Sequence, residues 1–313
     1  MKPESLIFVA GHRGLVGSAI VRRLQTRGFH NLLLRSHAEL DLTCQAAVER
    51  FFAECRPEYV FLAAAKVGGI LANDSRPAEF LRDNIAIQTN VIDAACRQGT
   101  KKLLFLGSSC IYPKHAPQPI NEECLLTGPL EPTNEWYAVA KISGLKMCQA
   151  YNRQYGFAAI SAMPTNLYGP GDNFNLTDSH VLPALMRKMH DAKERGEQEV
   201  DIWGTGTPRR EFLHVDDLAD ACLFLMQRYA GEQWVNVGCG SDISIADLAA
   251  LVAHTVGYAG RLKFDVTRPD GTPRKLLDIS RLRALGWAPG IGLEAGIAGT
   301  YQWFLEHRDE LRT

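Results

Sequence analysis

The chain has 313 residues, of which 46% are hydrophobic and 22% charged. It is long enough to bury a sizeable core, in one large α/β domain or in a nucleotide-binding domain with a smaller partner. Its 34 Lys and Arg residues against 35 Asp and Glu residues give a formal charge of −1, which argues against nucleic acid or an anionic membrane as a partner and requires any anionic ligand to be held by local charges.

Neither the N-terminus nor the cysteines indicate a secreted protein. The apolar run over residues 6–11 is too short for a signal sequence and lacks a cleavage site after it, and no apolar segment reaches the length of a membrane span. The eight cysteines contain no Cys-x-x-Cys pair, so neither a zinc site nor a disulfide framework is indicated. We therefore expect a protein of the reducing cytoplasm, with no metal.

Apolar, strand-like runs alternate with helix-length amphipathic segments in the first half of the chain. The runs cover residues 6–11, 31–36, 59–65, 102–109 and 157–164. After the first run, Val16, Ile20 and Leu24 follow helical spacing, and Gly28 is the expected C-terminal stop. This alternation predicts an α/β protein with a Rossmann-type, doubly wound parallel sheet.

The pattern loosens after about residue 170 into a Gly- and Asn-rich stretch, one helix, short strands and a helical C-terminus. We therefore predict a Rossmann domain over residues 1–170, which carries the cofactor site and a catalytic Ser/Tyr/Lys set. A smaller region over residues 171–313 is predicted to be mainly substrate-binding, with some segments allowed to return to the Rossmann sheet.

A glycine-rich turn joins the first strand to the first helix. In "GHRGLVG" the glycines follow a Gly-x-x-Gly-x-x-Gly spacing, which permits a tight turn and a close approach to a pyrophosphate at the helix N-terminus. Three glycines could also serve only the steric needs of the turn, but the strand–turn–helix context favours dinucleotide binding, with the spacing of short-chain dehydrogenases/reductases. The predicted contacts are Gly11, His12, Arg13, Gly14, Leu15, Val16 and Gly17.

The end of the second run bears on which dinucleotide is bound. NAD-binding members usually have an acidic residue there for the ribose 2′-hydroxyl, whereas this chain has Arg35, Ser36 and His37, with Arg13 in the glycine turn. Cationic and hydroxyl groups suit a 2′-phosphate, although Arg35 could simply cap an exposed strand end. The sequence thus favours NADP, with adenine contacts expected at Asp41 and Leu42.

The segment "YAVAK" contains Tyr137 and Lys141 four residues apart, so that on a helix both reach the same ligand. A nearby ammonium group and a positive nicotinamide would lower the pKa of the tyrosine and make it an effective proton donor or acceptor. Such a pair alone is more often helix surface. Together with the glycine turn and Ser108, it forms a Ser/Tyr/Lys catalytic set in which Ser108 is expected to hydrogen-bond the substrate oxygen.

Several stretches in order, among them "GHRGLVGSAI", "FLGSSCIYPK", "LEPTNEWYAVAKI", "PTNLYGPGDNF", "WGTGTPRREFLHVDDLA" and "PDGTPRKLLD", resemble the GDP-L-fucose synthase family of extended short-chain dehydrogenases/reductases. The resemblance covers essentially the whole chain. It implies a bifunctional epimerase/reductase that converts GDP-4-keto-6-deoxy-D-mannose to GDP-L-fucose with NADPH, by 3,5-epimerisation followed by hydride transfer to carbon 4. It also implies a homodimer, formed by the helix that bears Tyr137 and its neighbour.

The same resemblance assigns an epimerising pair, Cys110 and His180. Related dehydratases carry an Asp–Glu pair where this chain has Ser109 and Cys110, so dehydration is disfavoured. Protons next to a ketone are acidic enough for a thiolate or imidazole to remove, and a second group can return a proton on the other face. Without the resemblance, Cys110 reads as an inert thiol and His180 as a histidine at a helix start. Catalysis by Cys110 predicts a partly exposed, polar surrounding for its thiol.

The resemblance also supplies the remaining ligand contacts. One arginine of the 209–210 pair is expected at the phosphates, and position 37 often holds a second arginine in the family, which leaves NADPH over NADH a hypothesis. Further cofactor contacts are expected at Leu106, Gly107, Lys141, Pro164, Asn166, Leu167 and His180. Substrate contacts are expected at Lys188, Trp203, Arg210, Asp270 and Lys275.

Three alternatives stay open at this point. A GDP-L-colitose synthase would use the same residues on a 3-deoxy keto sugar, with epimerisation at carbon 5 only. A pure sugar-nucleotide epimerase would retain NAD, against which the arginines at the expected 2′-phosphate argue. A non-catalytic NADP-binding module would keep the glycine turn and lose the catalytic set, which is intact here.

Overall fold

The chain contains both helices and strands, and the computed structural model describes residues 1–176, 179–268 and 270–310. The strands are β1 (Ile7–Ala10), β2 (Leu32–Leu33), β3 (Tyr59–Leu62), β4 (Lys102–Leu106), β5 (Ala159–Pro164), β6 (Asn166–Tyr168), β7 (Glu199–Trp203), β8 (Arg209–Arg210), β9 (Phe212–His214), β10 (Val235–Val237), β11 (Ile243–Ser244), β12 (Arg261–Asp265) and β13 (Arg274–Lys275). The helices are α1 (Leu15–Thr26), α2 (Gln45–Cys55), α3 (Ile70–Ser75), α4 (Pro77–Arg97), α5 (Glu135–Tyr155), α6 (Val181–Glu194), α7 (Val215–Arg228), α8 (Ile245–Val256), α9 (Ser280–Ala284) and α10 (Leu293–His307).

The central sheet has six strands in the order β10-β5-β4-β3-β1-β2, and all five pairings are parallel. Alternate residues of β1 enter two different cores. Phe8 packs in a cluster with residues of α2, α4 and α5, and Val9 packs in a cluster with residues of α1 and α7. Because helices cover both faces, the strands are almost continuously apolar. The predicted α/β, doubly wound parallel sheet is confirmed.

The second strand is shorter than the apolar run over residues 31–36 suggested. β2 lies at the edge of the sheet and pairs with β1 only at two positions, Ile7 with Leu32 and Phe8 with Leu33. The chain then bends into a turn in which the backbone N–H of Leu40 donates to the carbonyl of Ser36 at 2.9 Å. The first helix ends as expected, with Gly28 just beyond it in the left-handed conformation at φ +82°.

The later part of the chain builds a third core and also contributes to the central sheet. Residues of α6, α8 and α10 pack together with residues of β7 and β12 in that core. β10 instead pairs with the outer side of β5, so a segment beyond residue 170 returns to the Rossmann sheet. The division at residue 170 into a cofactor and a substrate domain stays a prediction.

Over the described residues, none of the helices combines the length and the apolar character needed to cross a bilayer.

Candidate active site

Two of the three glycines in the first turn are required by the fold itself. Gly11 has φ +85°, and a Cβ there would lie 2.7 Å from the backbone nitrogen of Ala64 in the segment after β3. A Cβ on Gly17 would lie 2.0 Å from the carbonyl oxygen of Gly11. These two glycines therefore allow β1, α1 and the neighbouring segment to approach closely.

Gly14 differs from the other two. Its φ is −82°, which any residue adopts, and the nearest atom to a Cβ there would be the Gly11 oxygen at 3.5 Å. The packing of the chain therefore does not need a glycine at this position. What the glycine preserves is free space at the N-terminus of α1, where a pyrophosphate can approach the backbone N–H groups. The residues present thus fit a dinucleotide.

The turn after β2 carries the groups expected near the adenosine. The Arg35 guanidinium donates to the carbonyl of Leu34 at 3.0 Å and lies 5.8 Å from the centre of the Phe51 ring. His37 is exposed, and its Nδ1 lies 3.7 Å from the Asp41 carboxylate. Sequence reasoning missed the acidic residue of this turn, Glu39.

The residues expected at the adenine are tied down by the protein. Asp41 accepts hydrogen bonds from the hydroxyl and the backbone N–H of Thr43, at 2.7 Å and 2.9 Å, and these hold the pKa of its carboxyl below the usual value. Leu42 is buried, and its carbonyl accepts from the Asn90 side chain at 2.9 Å. The adenine contacts of Asp41 and Leu42 stay a prediction.

The carboxyl end of β4 presents the serine and the cysteine side by side. Beyond Leu106 the chain passes through Gly107, where a Cβ would lie 2.2 Å from the sulfur of Met163, and then enters a 3-10 turn at Ser109–Ile111. The Ser108 hydroxyl oxygen accepts from the backbone N–H of Cys110 at 3.3 Å. This cap fixes Cys110 next to Ser108, on the turn rather than in the strand.

Tyr137 and Lys141 lie on one face of α5, as the spacing predicts. The Lys141 ammonium is 5.7 Å from the centre of the Tyr137 ring and donates to the carbonyl of Leu106 at 2.8 Å. Lys141 is 3% exposed, and burial lowers its pKa to about 8.

The pKa of Tyr137 differs from the sequence expectation. Burial raises it above its ordinary value, and the nearby Cys110 thiol raises it further. Desolvation penalises the charged phenolate in this surrounding. In the chain by itself, Tyr137 therefore holds its proton and is suited to donate it.

Cys110 is more buried than a reactive cysteine was expected to be, with an exposure of 7%. Burial raises the pKa of its thiol, while Lys275, the Ser108 hydroxyl and Lys141 all act in the opposite direction. Lys275 lies on β13 and was assigned to substrate binding. Because Lys275 and Cys110 influence each other's pKa, we count Lys275 in the same cluster as Ser108 and Lys141.

His180 lies just before α6, at the N-cap position, and its side chain is exposed. Surrounding protein atoms still desolvate the imidazole enough to lower its pKa. None of the hydrogen bonds within the described part of the chain joins His180 to the Cys110 cluster. The structure thus brings Ser108, Cys110, Tyr137 and Lys141 together at the end of β4, and it places His180 at the start of α6.

An exposed aromatic ring with two cations marks the predicted substrate side. Trp203 at the end of β7 is 54% exposed, and Lys188 of α6 lies 5.3 Å from its ring centre. The Arg268 guanidinium lies 5.0 Å from the same ring. Sequence reasoning missed Arg268, because only the fold brings the segment after β12 to the end of β7. An aromatic face flanked by cations suits a base or sugar next to phosphates.

The two neighbouring arginines of β8 have different surroundings. Arg209 forms an ion pair with the Asp242 carboxylate at 2.7 Å. Arg210 donates to the carbonyl of Arg209 at 2.8 Å, and burial lowers the pKa of its guanidinium. Since Arg209 is already paired with Asp242, the geometry favours Arg210 as the cation available to a phosphate. Burial lowers the pKa of Lys275 most, and the charge of Arg210 lowers it further.

Asp270 is engaged within the protein. One carboxylate oxygen accepts from the backbone N–H of Thr205 at 2.9 Å, and the other accepts from the Thr205 hydroxyl at 2.7 Å. These bonds fix the loop that follows Trp203. The predicted contact of Asp270 with a ribose or base stays a prediction, and the role visible in the structure is to hold this loop.

One of the residues expected near the nicotinamide contacts Glu211, a buried residue that sequence reasoning missed. Pro164 ends β5, and β6 begins with Asn166 and Leu167. The Asn166 amide donates to the carbonyl of Glu211 at 2.8 Å. The Glu211 side chain is fully buried and accepts from the backbone N–H groups of Gly240 at 2.7 Å and Leu277 at 3.0 Å. A charged residue beside the apolar "FLH" of β9 was the signal that could have revealed it.

A glycine turn with free space before α1, a serine after β4 and a Tyr–Lys pair on α5 together define an enzyme of the short-chain dehydrogenase/reductase class, on a sheet of the matching type. Comparison with known proteins agrees with this class. The model of the NAD dependent epimerase/dehydratase family matches residues 7–238. The chain belongs to this family.

Relatives of this chain are similar over nearly its full length. GDP-L-fucose synthase 1 of Arabidopsis thaliana is 64% identical over 96% of this chain and 93% of its own. GDP-L-fucose synthase of Escherichia coli strain K12 is 55% identical over 98% of both chains, whereas GDP-L-colitose synthase of Yersinia pseudotuberculosis is 38% identical over 97% of this chain and 99% of its own. A solved structure of a GDP-L-fucose synthetase from Naegleria fowleri bound to NADP has a TM-score of 0.92 and 29% identity, and covers 100% of this chain and 98% of that chain. The family resemblance found in the sequence is confirmed.

Proposed function

We propose that the chain is an NADPH-dependent epimerase/reductase that converts GDP-4-keto-6-deoxy-D-mannose to GDP-L-fucose. The observation that carries the proposal is the cluster at the end of β4, where Ser108, Cys110 and Lys141 lie together beside Tyr137. Ser109 and Cys110 stand where related dehydratases carry an Asp–Glu pair. A thiol at this place suits epimerisation, and the missing carboxylates disfavour dehydration. The identity of 55% to 64% with GDP-L-fucose synthases, against 38% with a colitose synthase, supports fucose as the product.

NADPH is the cofactor, and when bound it supplies the hydride for carbon 4. The turn over residues 11–17 would hold its pyrophosphate, with Gly14 leaving the necessary space. Arg13, Arg35 and Ser36 would hold the 2′-phosphate of the adenosine, and Asn166, oriented by its hydrogen bond to the Glu211 carbonyl, would lie near the nicotinamide.

Cys110 and His180 exchange the protons at carbons 3 and 5. One of the pair removes the proton next to the ketone, and the other returns a proton to the opposite face of the same carbon, so that the configuration inverts and no net proton is consumed. The negative charge that develops on oxygen 4 is stabilised by the hydroxyls of Ser108 and Tyr137. Lys275 and Lys141 favour the thiolate of Cys110 against the desolvation that opposes it.

Tyr137 completes the reduction by giving its proton to oxygen 4. The raised pKa of Tyr137 means that this proton is present at neutral pH. Lys141 carries the compensating positive charge beside it and anchors the end of β4 through the Leu106 carbonyl. One ketone thus serves twice, first by acidifying the neighbouring carbons and then as the hydride acceptor.

The GDP part of the substrate is held in the later region of the chain. Arg210 and Lys275 provide charge for the diphosphate, and Trp203 offers its exposed face to the base or the sugar. Lys188 and Arg268 flank this ring and add further positive charge. We also propose that the protein works as a homodimer in the cytoplasm.

The test is turnover of GDP-4-keto-6-deoxy-D-mannose in heavy water, followed by NADPH absorbance and by NMR of the product. The wild type is expected to give fucose geometry with deuterium at carbons 3 and 5. Cys110→Ala is expected to lose label incorporation at both carbons, by a factor of about 10²–10⁴. Cys44→Ala, which removes an exposed cysteine before α2, is the matched control and is expected to behave as the wild type.

The other outcomes are informative as well. Label at carbon 5 alone, with a preference for the 3-deoxy substrate, would move the assignment to colitose synthesis. Undiminished labelling in Cys110→Ala would remove Cys110 from the mechanism. If the wild type oxidises no NADPH with this substrate, the proposed function is wrong.

A further inference from the structure

An acidic side chain occupies the turn that follows β2, among the cations expected at the 2′-phosphate. The Glu39 carboxylate accepts two hydrogen bonds from Ser36, one from its hydroxyl at 2.6 Å and one from its backbone N–H at 2.7 Å. Both end on the same carboxylate oxygen. Ser36, the hydroxyl expected to meet a phosphate, is therefore already bound to an anion of the protein.

The position of this carboxylate is fixed by the backbone. The N–H groups of Glu39 and Leu40 both donate to the carbonyl of Ser36, at 3.1 Å and 2.9 Å, which closes the turn beneath the side chain. The carboxylate is solvent-exposed, so it faces whatever binds outside the turn. It is held there rather than free to swing away.

The positive charges of Arg13 in the glycine turn and of Arg35 after β2 both act on the Glu39 carboxylate. The hydrogen bonds from Ser36 lower the pKa of its carboxyl most, and the positive charges of Arg35 and Arg13 lower it further. Burial lowers the pKa of His12 in the glycine turn, the charge of Arg13 lowers it further, and the charge of Glu39 raises it. Glu39 is thus ionised at neutral pH and interacts electrostatically with the two arginines expected to attract a 2′-phosphate.

We propose that Glu39 is a specificity-determining residue that limits the preference for NADPH over NADH. The inference rests on the proposed function, which sets the adenosine ribose at this turn. The carboxylate competes with a 2′-phosphate for the two Ser36 donors and offsets part of the charge of Arg35 and Arg13. Toward a ribose with a free 2′-hydroxyl it acts in the opposite sense, because a carboxylate accepts a hydrogen bond from that hydroxyl.

A purely structural role for Glu39 makes a different prediction. The Ser-x-x-Glu pattern with the glutamate bonded back to the serine N–H is a known way to stabilise a turn. Loss of that stabilisation would affect the binding of both dinucleotides alike. The ratio of the two affinities therefore separates the roles, since only a specificity role changes it.

The experiment is calorimetric titration of NADPH and of NADH into the full chain at low ionic strength, where exposed charges are least screened. Glu39→Gln keeps a side-chain acceptor for Ser36 and removes the charge. It is expected to tighten NADPH binding about two- to fivefold, the range of an exposed charge contact, and to leave NADH binding equal or weaker. Glu294→Gln, an exposed glutamate in the first turn of α10, is the charge-matched control and should leave the ratio unchanged.

Ser36→Ala provides a second variant that leaves all charges in place. It is expected to weaken NADPH binding. In the double variant it should also reduce the gain in NADPH affinity from Glu39→Gln, because the Ser36 hydroxyl is one of the donors for which Glu39 competes with the phosphate. Equal changes for NADPH and NADH in Glu39→Gln, or full additivity in the double variant, would overturn the inference. If the wild type makes GDP-L-fucose with NADPH and the ratio does not move, only this inference fails; if the wild type binds neither dinucleotide, the proposed function fails with it.

Discussion

The protonation of Tyr137 is decided by burial rather than by its lysine neighbour. Burial raises the pKa of the phenol, and it also lowers the pKa of Lys141 to about 8. Each group is thereby shifted toward its neutral form, as expected for titratable side chains removed from water. The pair is prepared for proton donation to a developing oxygen anion rather than for proton abstraction.

Replacement of this phenol separates the two halves of the reaction. In Tyr137→Phe the proton for oxygen 4 is missing, so kcat for NADPH oxidation is expected to fall about 10²–10⁴-fold. Deuterium exchange at carbons 3 and 5 should continue at a lower rate, because Cys110 and His180 are intact while Ser108 alone is left to stabilise the charge on oxygen 4. Absorbance and NMR on the same sample measure both. Tyr155→Phe, at an exposed tyrosine of the same helix, is the control, and NADPH oxidation near the wild-type rate in Tyr137→Phe would contradict the assignment.

The residues found by sequence reasoning and those it missed differ in the kind of contact they make. Tyr137 and Lys141 are four residues apart on one helix, and Ser108 and Cys110 share one turn, so local spacing was enough to group each pair. Glu211 contacts Gly240 and Leu277, and Arg268 contacts Trp203. These partners are distant in sequence, and no local pattern specifies them.

At the scale of elements, Glu211 joins three segments between the cofactor and substrate sides. It follows β8 directly, its carbonyl receives Asn166 of β6, and its carboxylate receives the N–H groups of Gly240 and Leu277. Burial raises the pKa of this carboxyl, and the backbone donors counteract that effect. Since Leu277 follows β13 closely, the carboxylate positions the strand that carries Lys275.

Loss of one acceptor in this arrangement is expected to affect substrate binding more than cofactor binding. In Glu211→Gln an amide N–H faces a backbone N–H, which should lower the free energy of unfolding by about 1–3 kcal/mol. KM for the GDP-sugar should rise, while KM for NADPH stays close to the wild-type value. Denaturant melts and steady-state kinetics measure these effects. Glu232→Gln, which breaks an exposed ion pair with Arg153, is the control and is expected to change the free energy of unfolding and the KM for the GDP-sugar less than Glu211→Gln does. A parallel rise of the KM values for the GDP-sugar and for NADPH in Glu211→Gln would contradict a positioning role.

Element boundaries were less predictable than element types. The alternation of strands and helices in the first half of the chain was read correctly, because periodic apolar patterns reflect which faces are buried. The end of β2 was not, because Leu34 remains apolar although the edge strand finds partners only for Leu32 and Leu33. Apolar character alone does not show where hydrogen bonding stops.

At the scale of the whole molecule, α4 and α5 pack against each other through polar contacts as well as apolar ones. The Gln88 amide donates to the Ala140 carbonyl at 2.7 Å and to the Ser143 hydroxyl at 2.8 Å. The outer surface of the pair still exposes apolar side chains, with Ile85 37% and Val139 39% exposed. A second copy of the chain is the partner proposed for this surface.

Light scattering coupled to size exclusion tests the proposed dimer. The wild type is expected at twice the chain mass of 34.6 kDa. Val139→Glu and Ile85→Glu should shift it toward the monomer, because each would bury a charge in the contact. Leu305→Glu, at an exposed apolar position of α10, is the control and should remain dimeric, whereas a monomeric wild type would contradict the proposal.

The strand order also has a consequence for how the chain is made. β5 is buried along its whole length and pairs with β4 on one side, and within the described residues β10 is the strand that pairs with its other side. During synthesis this edge stays open until Val235–Val237 has left the ribosome, and an open apolar edge invites pairing with other chains. A fragment cut near residue 170 would carry the same open edge permanently. The point at which the sequence pattern changes is therefore a poor place to divide the protein.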